Sequence, residues 1–144
     1  MDSRGANPIK DLALIVELWS IYRNIRPNIV LHYTVKPNVY GTIAATMLKI
    51  PVVNNVCGLG TVFLKKNLVS AIAIQLYKWT FRFPKKVFFQ NSDDLKLFVE
   101  KKLVDPEAVD LIPGSGVDLE KFQPMAFQRN DSFTFLLISR LITD

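Results

Sequence analysis

The sequence predicts an α/β fold: a Rossmann-like parallel sheet with helices on both of its faces. Runs of strand length alternate with longer runs of helical spacing, from about residue 7 to residue 112. The strand-length runs are apolar throughout, which is typical of strands covered on both sides. The connections between the runs are short, as they are in βαβ units. With 144 residues, 49% of them hydrophobic and 22% charged, the chain has enough apolar surface for a domain with its own core.

Four helices are predicted, and each has a recognisable start or end. Pro8 and Pro37 stand where the first and second helices begin, a position at which proline is favoured. Pro84 ends the third helix, and Ser92 is the predicted N-cap of the fourth. The four helices are predicted at residues 7–26, 35–50, 67–83 and 92–102.

The third predicted helix is the most apolar window of the chain. It has barely the length of a membrane span, and Asn67, Gln75, Lys78 and Arg82 interrupt it. A buried helix is therefore favoured over a span.

Five strands are predicted, at residues 28–33, 51–56, 87–90, 109–112 and 132–139. The chain begins with a helix, whereas a doubly wound domain usually begins with a strand and a phosphate-binding turn. The last predicted strand has no following helix to cover it. These two departures predict that the sequence is a piece of a longer protein.

The net charge of +5 and the pI of about 9.4 favour anionic partners. Nucleic acid, phosphorylated ligands and an acidic membrane surface all fit, and charge alone does not choose among them. Cys57 and His32 are the only cysteine and histidine, which argues against a zinc site of the usual type. A Ser–His–Asp triad would need His32 as its base, and nothing around it indicates one. His32 is instead predicted to be a hydrogen-bonded histidine near a strand end.

Five segments carry a resemblance to a known family. They are HYTVKPNVYGTIAA (32–45), NNVCGLGTVF (54–63), VFFQNSDD (87–94), LIPGSGVDLEKFQP (111–124) and FLLISRLITD (135–144). In this order and spacing they resemble the bacterial family 4 glycosyltransferases, in particular the enzymes of capsule, O-antigen and lipid-linked-oligosaccharide synthesis. The resemblance implies a GT-B fold, in which two Rossmann-like domains face each other across a cleft.

The resemblance also implies a division of the chain into three parts. Residues 1–113 would be part of the N-terminal, acceptor-side domain. Residues 114–131 would be the crossover between the domains. Residues 132–144 would be the first strand of the C-terminal, donor-binding domain, which the sequence would contain only in truncated form.

On the donor side, Arg140 matches the family's arginine that grips the diphosphate of the sugar nucleotide. A guanidinium at a strand end can hold phosphate oxygens in a bidentate manner. Gly114, Ser115 and Gly116 are expected to line the cleft, where the chain leaves the first sheet.

Cys57, Gly58, Leu59 and Gly60 follow a strand and are also expected to line the cleft. Glycines there expose backbone N–H groups to an anionic ligand. Many relatives have a His-Gly at this place, near the transferred sugar. Since this chain has a cysteine instead, Cys57 is interpreted as a small packing residue, and no catalytic residue is assigned.

On the acceptor side, the resemblance points to Lys36 and Asn38. The lysine could meet the diphosphate of a lipid carrier. An alternative fits equally well: Pro37 opens the helix and Lys36 is simply solvated.

The implied reaction is the retaining transfer of a hexosyl or N-acetylhexosaminyl unit from a nucleotide diphosphate sugar, UDP-linked. The acceptor would be a glycan or a polyprenyl-diphosphate-linked sugar in surface polysaccharide synthesis. No metal ion or other cofactor is expected, and the piece alone is expected to be inactive. Two alternatives stay open: a binding or regulatory half-protein, and a nucleotide-sugar 2-epimerase of the same architecture. Nucleic acid is not an expected partner, because no nucleic-acid motif is present.

Basic and aromatic residues near the third helix suit the surface of an anionic membrane. They are Lys65, Lys66, Trp79, Arg82, Lys85 and Lys86. A core helix with solvated ends explains them equally well. The expected location is the cytoplasm, with peripheral contact at the inner face of the cytoplasmic membrane.

Overall fold

The computed structural model describes residues 8–59, 68–124 and 135–138. Helices and strands alternate along the described residues. The helices are α1 (Pro8–Ile25), α2 (Thr42–Met47), α3 (Leu68–Thr80) and α4 (Ser92–Glu100). The strands are β1 (Val30–Tyr33), β2 (Val52–Val56), β3 (Lys86–Phe89) and β4 (Val109–Leu111). A π-helical segment, Pro37–Gly41, leads directly into α2, and a 3-10 turn, Pro106–Ala108, precedes β4.

The four strands form one parallel sheet in the order β1-β2-β3-β4. His32 lies beside Asn54, Asn54 beside Val87, and Val87 beside Val109. Because every crossover moves one strand in the same direction and such crossovers are right-handed, the connecting helices lie on one face of the sheet. This arrangement places the carboxyl ends of all four strands at one edge.

The core lies between that helical layer and the sheet, and aromatic rings fill it. Phe98 of α4 packs edge-on against Phe89 of β3 and Tyr77 of α3, with ring centroids 5.2 Å and 5.3 Å apart. Tyr77 also packs edge-on against Phe81 at 4.9 Å. All four side chains are fully buried, and edge-to-face pairs of this kind add about 0.5–1.5 kcal/mol each beyond their area burial.

The opposite face of the sheet is apolar but open. Leu31 is 61% exposed and Tyr33 is 55% exposed, although their β1 neighbours Val30 and His32 are buried. None of the described helices supplies the predicted cover of this second face. The fold class itself is confirmed: the chain has a Rossmann-like parallel sheet with helices.

The predicted elements from residue 8 to residue 112 are confirmed, with ends that differ by a few residues. The N-cap of α4 is Asn91 rather than the predicted Ser92. Asn91 is extended, with φ −147°, and its side-chain oxygen accepts the Asp94 N–H at 2.8 Å, so Ser92 is already helical. Of the predicted strand 132–139, residues 135–138 are described; they are exposed and lie outside the sheet. Among the described helices, none has the length and apolar character needed to cross a membrane.

Candidate functional site

The carboxyl edge of the sheet brings together segments that are far apart in the sequence. It is formed by residues 34–36 after β1, 57–59 after β2, 90–91 after β3 and 112–116 after β4. Ligands of open α/β sheets bind at this edge, outside the carboxyl ends of the strands. The sequence-predicted residues Lys36, Cys57 and Gly114 therefore occupy one side of the molecule.

Lys36 is held at this edge by a carboxylate from α1. Its Nζ lies 3.1 Å from Asp11 Oδ1, and the two side chains are only 20% and 13% exposed. An ion pair so shielded from water is screened less than a surface pair. Lys36 is thus held in place by an ion pair rather than freely solvated.

Tyr40 forms a hydrogen bond with the second oxygen of the same carboxylate. Its hydroxyl donates to Asp11 Oδ2 at 2.9 Å. Burial, the hydrogen bond and the nearby negative charge together raise the pKa of Tyr40 to about 12. Tyr40 therefore stays protonated at neutral pH and fixes the orientation of the carboxylate that holds Lys36.

The backbone between β1 and Lys36 is strained. Thr34 has φ +69°, a left-handed conformation that is unusual for a β-branched residue. Its carbonyl accepts the Asn38 N–H at 3.1 Å, which closes the first turn leading into the π-helical segment. Left-handed non-glycine residues and π-helical segments are both found more often at functional sites than elsewhere. The surrounding structure must offset the strain of such a residue, so the strain persists mainly where it serves a function.

Asn38 belongs to the scaffold of this edge. The residue is 1% exposed, and its amide donates to the Asn55 carbonyl at 2.9 Å. Its own carbonyl accepts from Thr42 Oγ1 at 2.6 Å and from Asn54 Nδ2 at 3.1 Å. Asn38 thus fastens the π-helical segment to β2, and its side chain is not presented to solvent beside Lys36.

His32 is buried and hydrogen-bonded, as predicted. Its Nδ1 lies 3.0 Å from Asn54 Oδ1, and its Nε2 lies 2.9 Å from the Tyr22 hydroxyl. An amide oxygen only accepts, so Nδ1 donates and Nε2 accepts from Tyr22 in the neutral imidazole. Burial lowers the pKa of His32, against the opposing effect of its hydrogen bond to Asn54. The histidine joins α1 to β1 and β2.

Cys57 corrects one interpretation drawn from the sequence. Its side chain is exposed, so it is not a packing residue. Gln90, which follows β3, donates its amide to Cys57 Sγ at 3.5 Å. Gly58 next to it has φ +149°, and no atom lies within 4 Å of the position that a Cβ would occupy. Residues 57 and 58 thus leave room for a ligand at the end of β2.

The loop after β4 is open in the same way. Gly114, Ser115 and Gly116 are exposed, and Gly116 has φ +72°, which favours glycine. No atom lies within 4 Å of a Cβ built on Gly114 or Gly116. The other two predicted site residues, Gly60 and Arg140, lie outside the described residues.

Sequence reasoning missed Asp11, Tyr40 and Gln90 as parts of this edge. Asp11 had a sufficient local explanation as an acidic residue in the first turn of a helix. Its contact with Lys36 spans 25 positions, so no local pattern reveals it. Gln90 does carry a signal, since it directly follows an apolar strand whose end belongs to the edge.

The part of the chain that the structure describes contains no group of three or more His, Cys, Asp or Glu side chains that could hold a metal ion. The described edge therefore presents a lysine, an amide, a thiol and glycine backbone. Such groups bind anions and hydroxyls by charge and hydrogen bonding.

Residues 1–91 match the family model described as Glycosyl transferase 4-like. The match covers more than half of the chain. The chain belongs to this glycosyltransferase family. The family assignment agrees with the resemblance carried by the KPNVYG and CGLGTVF segments.

Two curated relatives are similar to this chain. One is the UDP-Gal:alpha-D-GlcNAc-diphosphoundecaprenol alpha-1,3-galactosyltransferase of Escherichia coli, 29% identical over 96% of the chain and 38% of the relative. The other is the N,N'-diacetylbacillosaminyl-diphospho-undecaprenol alpha-1,3-N-acetylgalactosaminyltransferase of Campylobacter jejuni, 28% identical over 83% of the chain and 33% of the relative. The chain thus spans between a third and two fifths of the length of these relatives.

Proposed function

We propose that this chain forms the acceptor side of the cleft in a glycosyltransferase that extends a polyprenyl-diphosphate-linked sugar. The observation that carries the proposal is the ammonium of Lys36, positioned by Asp11 at the carboxyl edge of the sheet. In a chain of this family, a positioned cation at that edge suits the diphosphate of a lipid-linked acceptor. The names of both relatives include such an acceptor.

The proposed reaction moves a hexosyl or N-acetylhexosaminyl unit from a UDP-linked donor to that acceptor in surface polysaccharide synthesis. It retains the anomeric configuration and needs no metal ion, as the family resemblance implies. In this scheme residues 114–131 connect the acceptor side to a donor-binding domain that begins at residue 132. Arg140 contributes to the binding of the donor diphosphate, and residues 57–60 and 114–116 line the cleft.

The roles of Lys36 and Asp11 follow from their geometry. Asp11 Oδ1 accepts a hydrogen bond from the Lys36 ammonium at 3.1 Å and so fixes its position at the edge. A diphosphate that approaches the edge meets a cation whose side-chain entropy has already been lost on folding. Asn38 acts indirectly, because it holds the π-helical segment that directly follows Lys36.

Calorimetric titration with a short-chain prenyl-diphosphate-linked N-acetylhexosamine tests the acceptor side. We expect the 144-residue chain to bind it, and Lys36→Gln to weaken binding by about tenfold or more, as loss of one charge-assisted hydrogen bond implies. Lys49→Gln, which removes an exposed lysine between α2 and β2, is the matched control. Equal affinity of the wild-type and Lys36→Gln chains would remove the basis of the proposal.

We propose further that the chain alone does not transfer sugar, since it spans at most 38% of the length of either relative. Incubation with a radiolabelled UDP-sugar and the lipid-linked acceptor is expected to give no product. Product formation would show that these 144 residues suffice. Release of free UDP by a longer parent protein would separate a transferase from a 2-epimerase.

The open sheet face favours a second candidate function, a binding or regulatory half-protein. Leu31 and Tyr33 lie more than half exposed on that face, where a partner would find an apolar surface. Sedimentation or native mass measurement tests this candidate. A stable, soluble monomer would argue against it, and a defined complex would favour it.

A further inference from the structure

Gln90 presents a side-chain amide at the carboxyl edge of the sheet, at the end of β3. In the register of β2 with β3, Val56 lies beside Phe89. Cys57 and Gln90 are the next residues of these two strands. Their contact follows the register, since Gln90 Nε2 lies 3.5 Å from Cys57 Sγ. The amide and the thiol therefore bridge the ends of two neighbouring strands.

The backbone on both sides of Gln90 is held in place. The Phe89 carbonyl, just before it, accepts the Ile112 N–H at 2.9 Å, which ties the end of β3 to the residue after β4. Asn91, just after it, is the N-cap of α4, and its side-chain oxygen accepts the Asp94 N–H at 2.8 Å. A side chain on so fixed a backbone loses little further freedom when it binds a ligand.

The Gln90 amide has hydrogen-bonding capacity that the described residues do not use. A glutamine amide has two N–H donors and one oxygen acceptor. One donor contacts Cys57, and no donor among the described residues contacts the oxygen. The neighbouring amide of Asn91 differs, because Asp94 engages both its oxygen and its nitrogen. Of these two amides, only that of Gln90 is available to a ligand.

There is room for a ligand beside this amide. Gln90 is half-buried, whereas Cys57 is exposed. Gly58 comes next along the chain, and no atom of the described residues lies within 4 Å of the position that a Cβ would occupy there. A group that binds Gln90 can therefore approach over the end of β2.

The position of the amide relative to Lys36 indicates which group that is. Lys36 follows β1 and Gln90 follows β3, and β2 lies between those two strands. Neighbouring strands are about 4.8 Å apart, so the ends of β1 and β3 are about 10 Å apart. A diphosphate with a hexose joined to it extends over a comparable distance. A diphosphate bound beside Lys36 can thus place its sugar over the ends of β2 and β3.

We propose that Gln90 is a specificity residue for the acceptor, whose amide binds a hydroxyl or acetamido group of the sugar joined to the acceptor diphosphate. The inference rests on the proposed function for the position of the diphosphate, and it adds a direct contact with the sugar. The chemistry of the amide distinguishes the two parts of the ligand. A diphosphate diester offers only acceptors, so it cannot bind the Gln90 oxygen, whereas a sugar hydroxyl can donate to it.

Calorimetric titration with two probes separates the sugar from the diphosphate. The first probe is the short-chain prenyl-diphosphate-linked N-acetylhexosamine. The second has a methyl ester in place of the sugar, so both probes carry the same phosphate charges. Gln90→Leu removes the amide at similar side-chain size and is expected to weaken binding of the first probe by about tenfold, as loss of one or two hydrogen bonds implies. Binding of the methyl ester should be unchanged.

Controls accompany this substitution. Gln75→Leu makes the same change at an exposed site on α3 and should alter neither affinity. Circular dichroism verifies that both variants are folded.

Cys57 provides a second measurement, in the chain with Gln90 unchanged. It is the only cysteine of the sequence and its side chain is exposed, so its rate of reaction with N-ethylmaleimide reports on this place alone. A saturating concentration of the sugar-linked probe is expected to slow the reaction several-fold, and the methyl ester is expected to slow it much less. This measurement does not depend on the folding of any variant.

Three results would each overturn the proposal: equal weakening of the two probes by Gln90→Leu, an unchanged affinity of that variant for the sugar-linked probe, and equal protection of Cys57 by both probes. Failure of the proposed function gives a different result. Lys36→Gln is expected to weaken both probes alike, because it acts on the diphosphate. If the Lys36→Gln chain bound both probes as tightly as the unchanged chain, the proposed function would fail, whereas the role of Gln90 is decided by the difference between the probes. Binding of neither probe by the unchanged chain would contradict both proposals.

Discussion

Gly41 lies against the ring of His32, and this contact makes the substitution Gly41→Ala informative. A Cβ added at Gly41 would lie 2.6 Å from His32 Nε2, 2.9 Å from Cε1 and 3.1 Å from Cδ2. Ordinary carbon contacts lie near 3.5–4.0 Å, so the ring or the helix must move. The ring cannot move freely, because Tyr22 and Asn54 hold its two nitrogens.

The expected cost follows from these contacts. Overpacking a filled core costs about 1–3 kcal/mol, and the displaced ring also loses two hydrogen bonds worth about 1 kcal/mol each. The higher helix propensity of alanine offsets about 1 kcal/mol of this destabilisation. Gly41→Ala should therefore lower the free energy of unfolding by about 2–4 kcal/mol.

Urea denaturation followed by circular dichroism measures this cost in a double-mutant cycle with His32→Ala. Removing the ring makes room for the methyl group, so Gly41→Ala in that background should be neutral or stabilising by up to about 1 kcal/mol. Gly114→Ala is the control, since its Cβ would meet no atom within 4 Å. If Gly41→Ala stabilised the otherwise unchanged chain, or if its cost were the same with and without His32, the packing of His32 against the helix would be refuted.

Three further substitutions test the protonation of His32, the N-cap of α4 and the ion pair of Asp11 with Lys36. Burial lowers the pKa of His32 below its unfolded value near 6.5, so the unfolded chain binds more protons than the folded chain. The free energy of unfolding should therefore fall as the pH drops below about 6.5, until the lower folded pKa is passed. Urea midpoints measured from pH 7.5 to 5 should lack this dependence in His32→Asn. Asn91→Ala should lower the free energy of unfolding by about 1 kcal/mol in the same assay, because the cap of α4 is lost. A larger decrease in Ser92→Ala would contradict the assignment of the cap. Asp11→Asn should cost about 1.5–3 kcal/mol, because Lys36 and Tyr40 both lose a charged acceptor, and a cost no greater than that of the exposed Asp93→Asn would show that the pair is not coupled to folding.

The order of helices and strands could be predicted because local periodicity and proline positions determine it. Apolar runs such as residues 51–56 and 87–90 are short; Pro37 stands at the start of the helical segment before the first run, and Pro84 follows the helix between the two runs. The N-cap of α4 is Asn91, one residue before the predicted Ser92; both residues have suitable side chains, and only the backbone conformation distinguishes them.

The open sheet face shows a limit of the hydrophobic pattern. Leu31 and Tyr33 are apolar, and a run of apolar residues predicts that both faces of a strand are covered. The apolar pattern of a strand indicates that both faces of the sheet are suited to packing. It does not indicate whether the element that covers a face lies within the same 144 residues.

The candidate site was predictable only where its residues follow strands. Lys36, Cys57 and the Gly114–Gly116 segment were found because parallel strands place their carboxyl ends at one edge. The state of each side chain was not predictable: Asp11 pairs with Lys36 from a distant helix, Asn38 is buried, and Cys57 is exposed. These outcomes depend on how α1 and the π-helical segment pack, which local sequence does not specify.

The central claim is that an acceptor diphosphate binds at the carboxyl edge of the sheet, beside Lys36. Amide chemical-shift mapping of the ¹⁵N-labelled chain, titrated with the short-chain prenyl-diphosphate-linked sugar, tests it most directly. The largest shifts are expected at residues 34–36, 57–58 and 90–91, and they should be lost in Lys36→Gln. Shifts that concentrate at the opposite, amino-terminal edge, near Pro51 and Lys85, would contradict the claim.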